Sequence, residues 1–131
     1  MIYIDTTALV RLVIRHPETP LLCAWMRTNR DQAFLFSSIS RQEIRDNLPA
    51  ATEAIRTRTR EVFACPQLIE VQSDGLVRDT AKDLVTTDFG HTRAIHLATI
   101  IPFQARIDSI LSYDIELLTA AARLGIAPQA L

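Results

Sequence analysis

The chain has 131 residues, of which 48% are hydrophobic and 22% charged, and its formal net charge is −1. This length and composition are typical of one domain with its own core, over residues 1–131, and they exclude disordered and collagen-like chains. Because the charges nearly cancel, a uniformly basic nucleic-acid coat is also excluded, although a local basic rim is not.

Strand and helix patterns alternate along the chain. An apolar strand at residues 1–4 precedes helices at 8–14 and 18–29, and a strand at 33–36 precedes helices at 41–48 and 50–64, with Pro49 as a break. A strand at 68–71 leads to helices at 74–86 and 93–101, the latter capped by Thr92 and ended by Pro102. A strand at 107–111, a helix at 114–124 and a short strand at 126–127 complete the pattern.

This alternation predicts an α/β fold, with a central parallel sheet of four to five strands flanked by helices. In such open sheets, ligands bind just beyond the carboxyl ends of the strands. Polar residues that follow the predicted strands are therefore the first candidates for a functional site.

Three acids fall at this predicted edge. Asp5 follows the first strand, Glu43 lies in the first turn of the helix after the second strand, and Asp114 follows the fourth strand. Converging carboxylates repel one another unless a cation neutralises them, and oxygen ligands suit Mg²⁺ or Mn²⁺. A site of this kind can activate a water molecule and stabilise the charge that develops on a phosphate.

Each acid also has a structural interpretation. Asp5 and Asp114 could be helix N-caps, and residues 40–43 match the S-x-x-E capping box, with Glu43 as its last residue. Thr6 and Ser112 are accessory candidates. The Ser112 hydroxyl could hold a water or a carboxylate, or simply end the strand. Capping and metal binding are compatible, because helices begin at the carboxyl edge of the sheet.

The remaining observations concern location and side chains with ordinary structural roles. No apolar run approaches the roughly 18 residues of a membrane span, and the opening M-I-Y-I-D does not resemble a signal peptide, so a cytoplasmic protein with no membrane partner is expected. Cys23 and Cys65 fit no disulfide framework or zinc spacing and are expected to be buried. Asp108 is expected at the opposite edge of the sheet, in a structural role.

Four segments, in order and at matching spacing, resemble a PIN domain of the VapC-type toxin ribonucleases. They are residues 1–10 (M-I-Y-I-D-T-T-A-L-V), 40–44 (S-R-Q-E-I), 93–99 (R-A-I-H-L-A-T) and 108–114 (D-S-I-L-S-Y-D). The resemblance implies a magnesium-dependent endoribonuclease that cuts tRNA, rRNA or mRNA and forms homodimers. It also implies a cognate VapB-like antitoxin, whose C-terminal segment, often carrying an arginine, enters the acidic groove.

Asp5, Glu43 and Asp114 match the first, second and fourth acids of the family. The resemblance implies that Asp5 and Asp114 bind Mg²⁺, for which Mn²⁺ can substitute, and that Glu43 acts through the outer shell of the metal. The third acid is replaced by Arg93. Arg93 either pairs with Asp5 or Asp114 and blocks metal binding, or turns outward to contact RNA phosphate or solvent; Asp88 is a further candidate for the missing acid.

Two functions therefore remain open. The first is a VapC-like ribonuclease toxin with a divergent site, and the second is a catalytically impaired PIN-fold module that binds RNA or a protein without cutting. His96 matches a family residue and is expected to be structural rather than a proton donor. A response-regulator-like domain is disfavoured, because it needs a lysine near the last strand and the only lysine, Lys82, lies in a predicted helix.

Two sets of residues have alternative roles. The first set is basic and either steers RNA or is merely solvated: Arg11, Arg41 and Arg45. The second set is apolar and forms either an antitoxin groove on the segments 18–29 and 50–64 or part of the core: Leu22, Trp25 and Met26.

Overall fold

The predicted alternation of strands and helices is present in a computed structural model that describes residues 1–48, 50 and 52–131. The described strands are β1 (Ile2–Ile4), β2 (Phe34–Ser37), β3 (Leu68–Val71), β4 (Ser109–Leu111) and β5 (Ala127–Pro128). The described α-helices are α1 (Thr6–Val13), α2 (Thr19–Thr28), α3 (Ile39–Asn47), α4 (Glu53–Phe63), α5 (Gly75–Leu84), α6 (His91–Ile100) and α7 (Ile115–Arg123). A 3₁₀-helix (Ile101–Arg106) joins α6 to β4.

The five described strands form one parallel sheet in the order β3-β2-β1-β4-β5. The chain moves outward from β1 to β3 and then returns to the other side of β1 with β4. The strand order therefore reverses between β1 and β4, and a crevice at the carboxyl ends of these two strands is the expected ligand site of such a sheet.

The sheet separates two layers of helices. One face, including Ile4 and Phe36, packs in a core with Leu9, Leu22 and Val62 of the first four helices. The opposite face packs against the later helices through a cluster of Tyr3, Leu35 and Ile110 with Leu97 and Leu117. Because successive strand residues point to opposite faces, β1 is buried along its whole length, as expected for a central parallel strand.

Several predicted boundaries were wrong around the helices. Helix α3 begins two residues earlier than predicted, at Ile39, and α6 begins at His91 with Gly90, rather than Thr92, at its N-cap. The end of α6 at Ile100 agrees with the predicted stop at Pro102. The chain then tightens into the 3₁₀-helix, and proline lies in its first turn, where its missing N–H is tolerated. The helix predicted at 50–64 is α4, while the predicted break at Pro49 and the helical assignment of Ala51 lie outside the described residues.

Other predictions concern burial. Leu22 is buried in the core and Trp25 packs edge-on against Phe34. Met26 packs against the same core and also lines a largely apolar cavity of about 450 Å³ between α2 and α4, so the groove on these segments stays a prediction. Cys23 and Cys65 are free and only partly buried, so the prediction of full burial was wrong. No described helix has the length and apolar character required to cross a bilayer.

Candidate active site

The carboxyl ends of β1 and β4 are joined directly by backbone. The N–H of Asp5, the residue after β1, donates to the carbonyl of Leu111 at the end of β4, at 3.2 Å. Asp5 then caps α1, and Asp114 caps α7 after a two-residue connection from β4. The reversal of strand order therefore brings two of the three predicted acids to neighbouring helix starts.

Asp5 is almost completely buried, with 2% of its surface exposed. Its Oδ1 accepts hydrogen bonds from the Thr7 hydroxyl at 2.6 Å and from the Ala8 N–H at 3.2 Å. Burial raises the pKa of Asp5, while the proximity of His96 and the hydrogen bonds from Thr7, Ser112 and Ala8 act in the opposite direction. The cap interpretation of Asp5 is therefore correct.

Thr7 links Asp5 to the segment before α7, and the sequence analysis did not single it out. Its hydroxyl donates to Asp5 and accepts the N–H of Tyr113 at 2.8 Å. Ser112, a predicted accessory residue, accepts the N–H of Asp114 at 2.9 Å and also bonds Asp5. A signal for Thr7 was the second hydroxyl in the D-T-T sequence, since both threonines lie in the first turn of a helix at the site edge.

Glu43 faces the crevice and does not form the capping box. Ser40 lies inside the first turn of α3, and its hydroxyl hydrogen-bonds to Thr6 at 2.8 Å. The Glu43 carboxylate accepts the hydroxyl hydrogen of Thr6 and lies 2.9 Å from Nε2 of His96. The predicted accessory role of Thr6 thus corresponds to a direct contact between α1 and α3.

Two buried residues form a chain of contacts to Glu43: His96 contacts Glu43 directly, and Tyr3 contacts His96. Burial, followed by the nearby carboxylates of Asp5 and Glu43, raises the pKa of Tyr3 well above its ordinary value, so its phenol remains protonated. The Tyr3 hydroxyl lies 2.7 Å from Nδ1 of His96 and can donate to it, which leaves Nε2 to donate toward Glu43. His96 therefore orients Glu43, in agreement with the structural role expected for it.

Arg93 lies at the acidic edge and pairs with two carboxylates there. Its Nε donates to Asp114 Oδ2 at 2.7 Å, and its Nη1 forms an ion pair with Glu116, a residue the sequence analysis missed. The hydrogen bond and charge of Asp114 raise the pKa of Arg93. The pairing with Asp114, rather than with Asp5 or with solvent, is the arrangement that the structure contains.

Asp114 is fully engaged by protein groups. Its Oδ1 accepts the N–H groups of Glu116 at 3.1 Å and Leu117 at 3.4 Å, so it caps α7, while Arg93 holds Oδ2. Within residues 1–48, 50 and 52–131, no group of three His, Cys, Asp or Glu side chains is placed to hold a metal ion. The residues as arranged therefore do not fit Mg²⁺ or Mn²⁺, because an arginine supplies the positive charge at Asp114.

The other candidate residues lie away from this cluster. Asp88 is exposed and lines a separate cavity beside Phe89, so it does not replace the third acid. Asp108 binds the α-amino group of Met1 at 2.6 Å at the opposite edge of the sheet, as expected. Arg11 lies over the Tyr113 ring, 3.8 Å from its centroid, which is a packing role.

Comparison with known proteins identifies relatives that are all ribonucleases of the VapC type. No family model matches the chain. Ribonuclease VapC46 of Mycobacterium tuberculosis is 32% identical over 126 residues, which cover 96% of this chain and 94% of that protein. Ribonuclease VapC35 from two strains of the same organism is 27% identical over 129 residues, which cover 97% of this chain and 94% of each relative.

Proposed function

Because the chain belongs to the VapC ribonuclease family, we propose that it acts on RNA as the toxin of a toxin–antitoxin pair. The observation that carries this proposal is the placement of Asp5, Glu43 and Asp114 around the carboxyl edge of β1, β2 and β4. The proposal includes a VapB-like antitoxin as partner, a homodimeric state and action in the cytoplasm.

The side chains of the crevice have distinct parts in this proposal. Thr6 and His96 fix the Glu43 carboxylate, and Thr7 and Ser112 fix Asp5, so both acids are positioned before RNA arrives. Such preorganisation keeps the groups around a scissile phosphodiester in one geometry and reduces the cost of orienting them during reaction.

The proposal includes a magnesium ion, for which manganese can substitute, only when Arg93 no longer pairs with Asp114. Asp5 and Asp114 would then hold the cation, and Glu43 would contact its water shell. The cation would supply charge stabilisation for the phosphodiester. While Arg93 holds Asp114, the residues do not fit the metal.

The Arg93 contacts favour a second candidate, a module that binds RNA or protein without cutting. Arg93 joins Asp114 and Glu116 at the position where the family resemblance implies an acid. An internal cation at this place neutralises Asp114 without offering a coordination position for a water molecule.

Cleavage assays separate the two candidates. We expect that Arg93→Asp cuts single-stranded RNA at least tenfold faster than the unmodified chain in Mg²⁺ or Mn²⁺, because Asp114 is freed and a carboxylate is added. Activity should disappear in EDTA and in the double variant Asp5→Ala, Arg93→Asp. Arg93→Ala, which frees Asp114 without adding an acid, is the matched control and should lie between the two.

Each alternative result has a definite meaning. Equal metal-dependent cutting by the unmodified chain and by Arg93→Asp would contradict the idea that Arg93 blocks metal binding, and it would support the ribonuclease. RNA binding without cutting by every variant, across a panel of tRNA, rRNA and mRNA fragments, would favour the non-cutting module.

A further inference from the structure

A polar cavity of about 420 Å³ lies next to the candidate active site, between α3 and the first turns of α5 and α6. Its charged and titratable lining consists of Arg41, Arg45, Arg78, His91, Glu43 and Asp46. Glu43 also accepts the hydroxyl hydrogen of Thr6, the residue after Asp5, so the cavity adjoins the candidate active site.

The three arginines differ in how many contacts their guanidinium groups already make with other residues. Arg41 is anchored, because its Nε lies 2.9 Å from Glu70 and its guanidinium carbon lies 4.2 Å from the centroid of the Phe63 ring. Arg78 is exposed, and its Nε donates to the carbonyl of Ser73 at 3.0 Å. Arg45 is exposed and, within the part of the chain that the structure describes, forms no ion pair or hydrogen bond through its side chain.

We propose that this cavity binds a backbone phosphate of the RNA, adjacent to the phosphodiester presented to the acidic crevice, with Arg45 and Arg78 as its cationic contacts. The inference rests on the proposed function, since it places the same RNA on the surface beside Glu43. The guanidinium groups of Arg45 and Arg78 offer N–H forks that match phosphate oxygens. Their charge would hold the RNA strand across the edge of the sheet through its backbone, without recognising its bases.

The chemistry of the lining favours phosphate over an apolar protein segment. Its aliphatic members are Ile39 and Ile95, and Ile95 is only 1% exposed, so the lining is mainly polar and offers little aliphatic surface for an anchor. The carboxylates of Asp46 and Glu43 repel an anion, so the attraction from Arg45 and Arg78 must exceed that repulsion. The side chain of Asp46 therefore gives a test of opposite sign.

The experiment is binding of a fluorescently labelled single-stranded RNA of mixed sequence in EDTA, followed by anisotropy over a range of salt concentrations. We expect the double variant Arg45→Gln, Arg78→Gln to bind roughly tenfold more weakly, because two exposed phosphate contacts are lost. The slope of log affinity against log salt should fall by about 1.4, or about 0.7 for each contact. Arg45→Lys, Arg78→Lys should recover the slope, and Asp46→Asn should tighten binding.

The control is the double variant Arg30→Gln, Arg123→Gln, which makes the same charge change at exposed positions near the opposite edge of the sheet and should bind like the unmodified chain. If the unmodified chain binds RNA but both double glutamine variants match it, the phosphate site is overturned and the proposed function stands. If the unmodified chain binds no RNA, the proposed function itself fails.

Light scattering completes the test. We expect the molecular mass in solution to be the same for the unmodified chain and for Arg45→Gln, Arg78→Gln. A change in mass would identify the cavity as a contact between copies of the chain and would overturn the phosphate site.

Discussion

At the scale of single residues, the site combines burial with negative charge. Asp5 lies at the end of the central strand with 2% exposure, and burial raises its pKa. The folded protein must therefore hold a carboxylate that would be better solvated in the unfolded chain. Residues kept at such an energetic disadvantage are common where chemistry requires them, and replacing them often increases stability.

This disadvantage gives a pH-dependent prediction for Asp5→Asn. Because the folded pKa of Asp5 is raised, its favourable contribution is complete below the ordinary carboxyl value and is lost as pH rises through the folded pKa. Asparagine caps helices as well as aspartate does, so the cap at α1 should persist. We expect Asp5→Asn to increase the free energy of unfolding at pH 7 by about 0.5–2 kcal/mol.

The measurement is urea unfolding between pH 4 and pH 8 in EDTA. The advantage of Asp5→Asn should shrink toward pH 4, where the unmodified Asp5 becomes protonated. Asp31→Asn, at an exposed position, is the control and should show no such trend. A stability advantage independent of pH would contradict the assignment to Asp5 ionisation.

At the scale of secondary-structure elements, the end of α7 is specified by Gly125. Gly125 has a φ of 79°, its N–H donates to Ala122, and the N–H of Ile126 donates to Ala121. These two bonds form a Schellman motif, and Ile126 enters the core at 2% exposure. The turn therefore directs the chain from α7 into β5.

We expect Gly125→Ala to destabilise the protein by about 1–2 kcal/mol, because an L-residue is strained in the left-handed region. Gly75→Ala is the matched control, since Gly75 lies at the start of α5 and a Cβ there meets nothing within 4 Å. Thermal unfolding of both variants would test this; equal effects would contradict the role of backbone strain.

The elements also show which parts of the molecule the sequence could predict. The apolar runs at β1, β2 and β4 and the breaks at proline and glycine identified nearly every element, because burial determines these patterns. The start of α3 was missed, because Ser40 and Glu43 make long-range contacts to Thr6 and His96 in place of local capping bonds. Local sequence carries no signal for such tertiary contacts.

At the scale of the whole molecule, the order of elements predicted where the acids would meet. Parallel strands place Asp5 and Asp114 at one edge, and the observed reversal between β1 and β4 confirms that arrangement. The orientation of Arg93 could not be predicted, since both of its salt-bridge partners depend on how α6 and α7 pack. The cavity with Arg45 and Arg78 likewise requires three helices to be in place.

Stability of the whole molecule should report whether the acidic edge can bind a metal. We expect Mg²⁺ to raise the unfolding midpoint of Arg93→Asp by several degrees, since a ligand at about 100 times its Kd adds about 2.7 kcal/mol to the folded state. The midpoint of the unmodified chain should not change at matched ionic strength, because Arg93 holds Asp114. A similar rise in the unmodified chain would contradict the idea that Arg93 blocks metal binding.

The central position of β1 has a consequence for protein synthesis. β1 pairs with β4, whose residues 109–111 are synthesised long after residues 2–4. A chain that ends before residue 109 lacks both β4 and Asp114, so β1 pairs with β2 alone and its other edge is exposed. An interrupted chain would therefore present the open hydrogen-bonding edge of an apolar strand, which favours aggregation or degradation of the fragment over its accumulation.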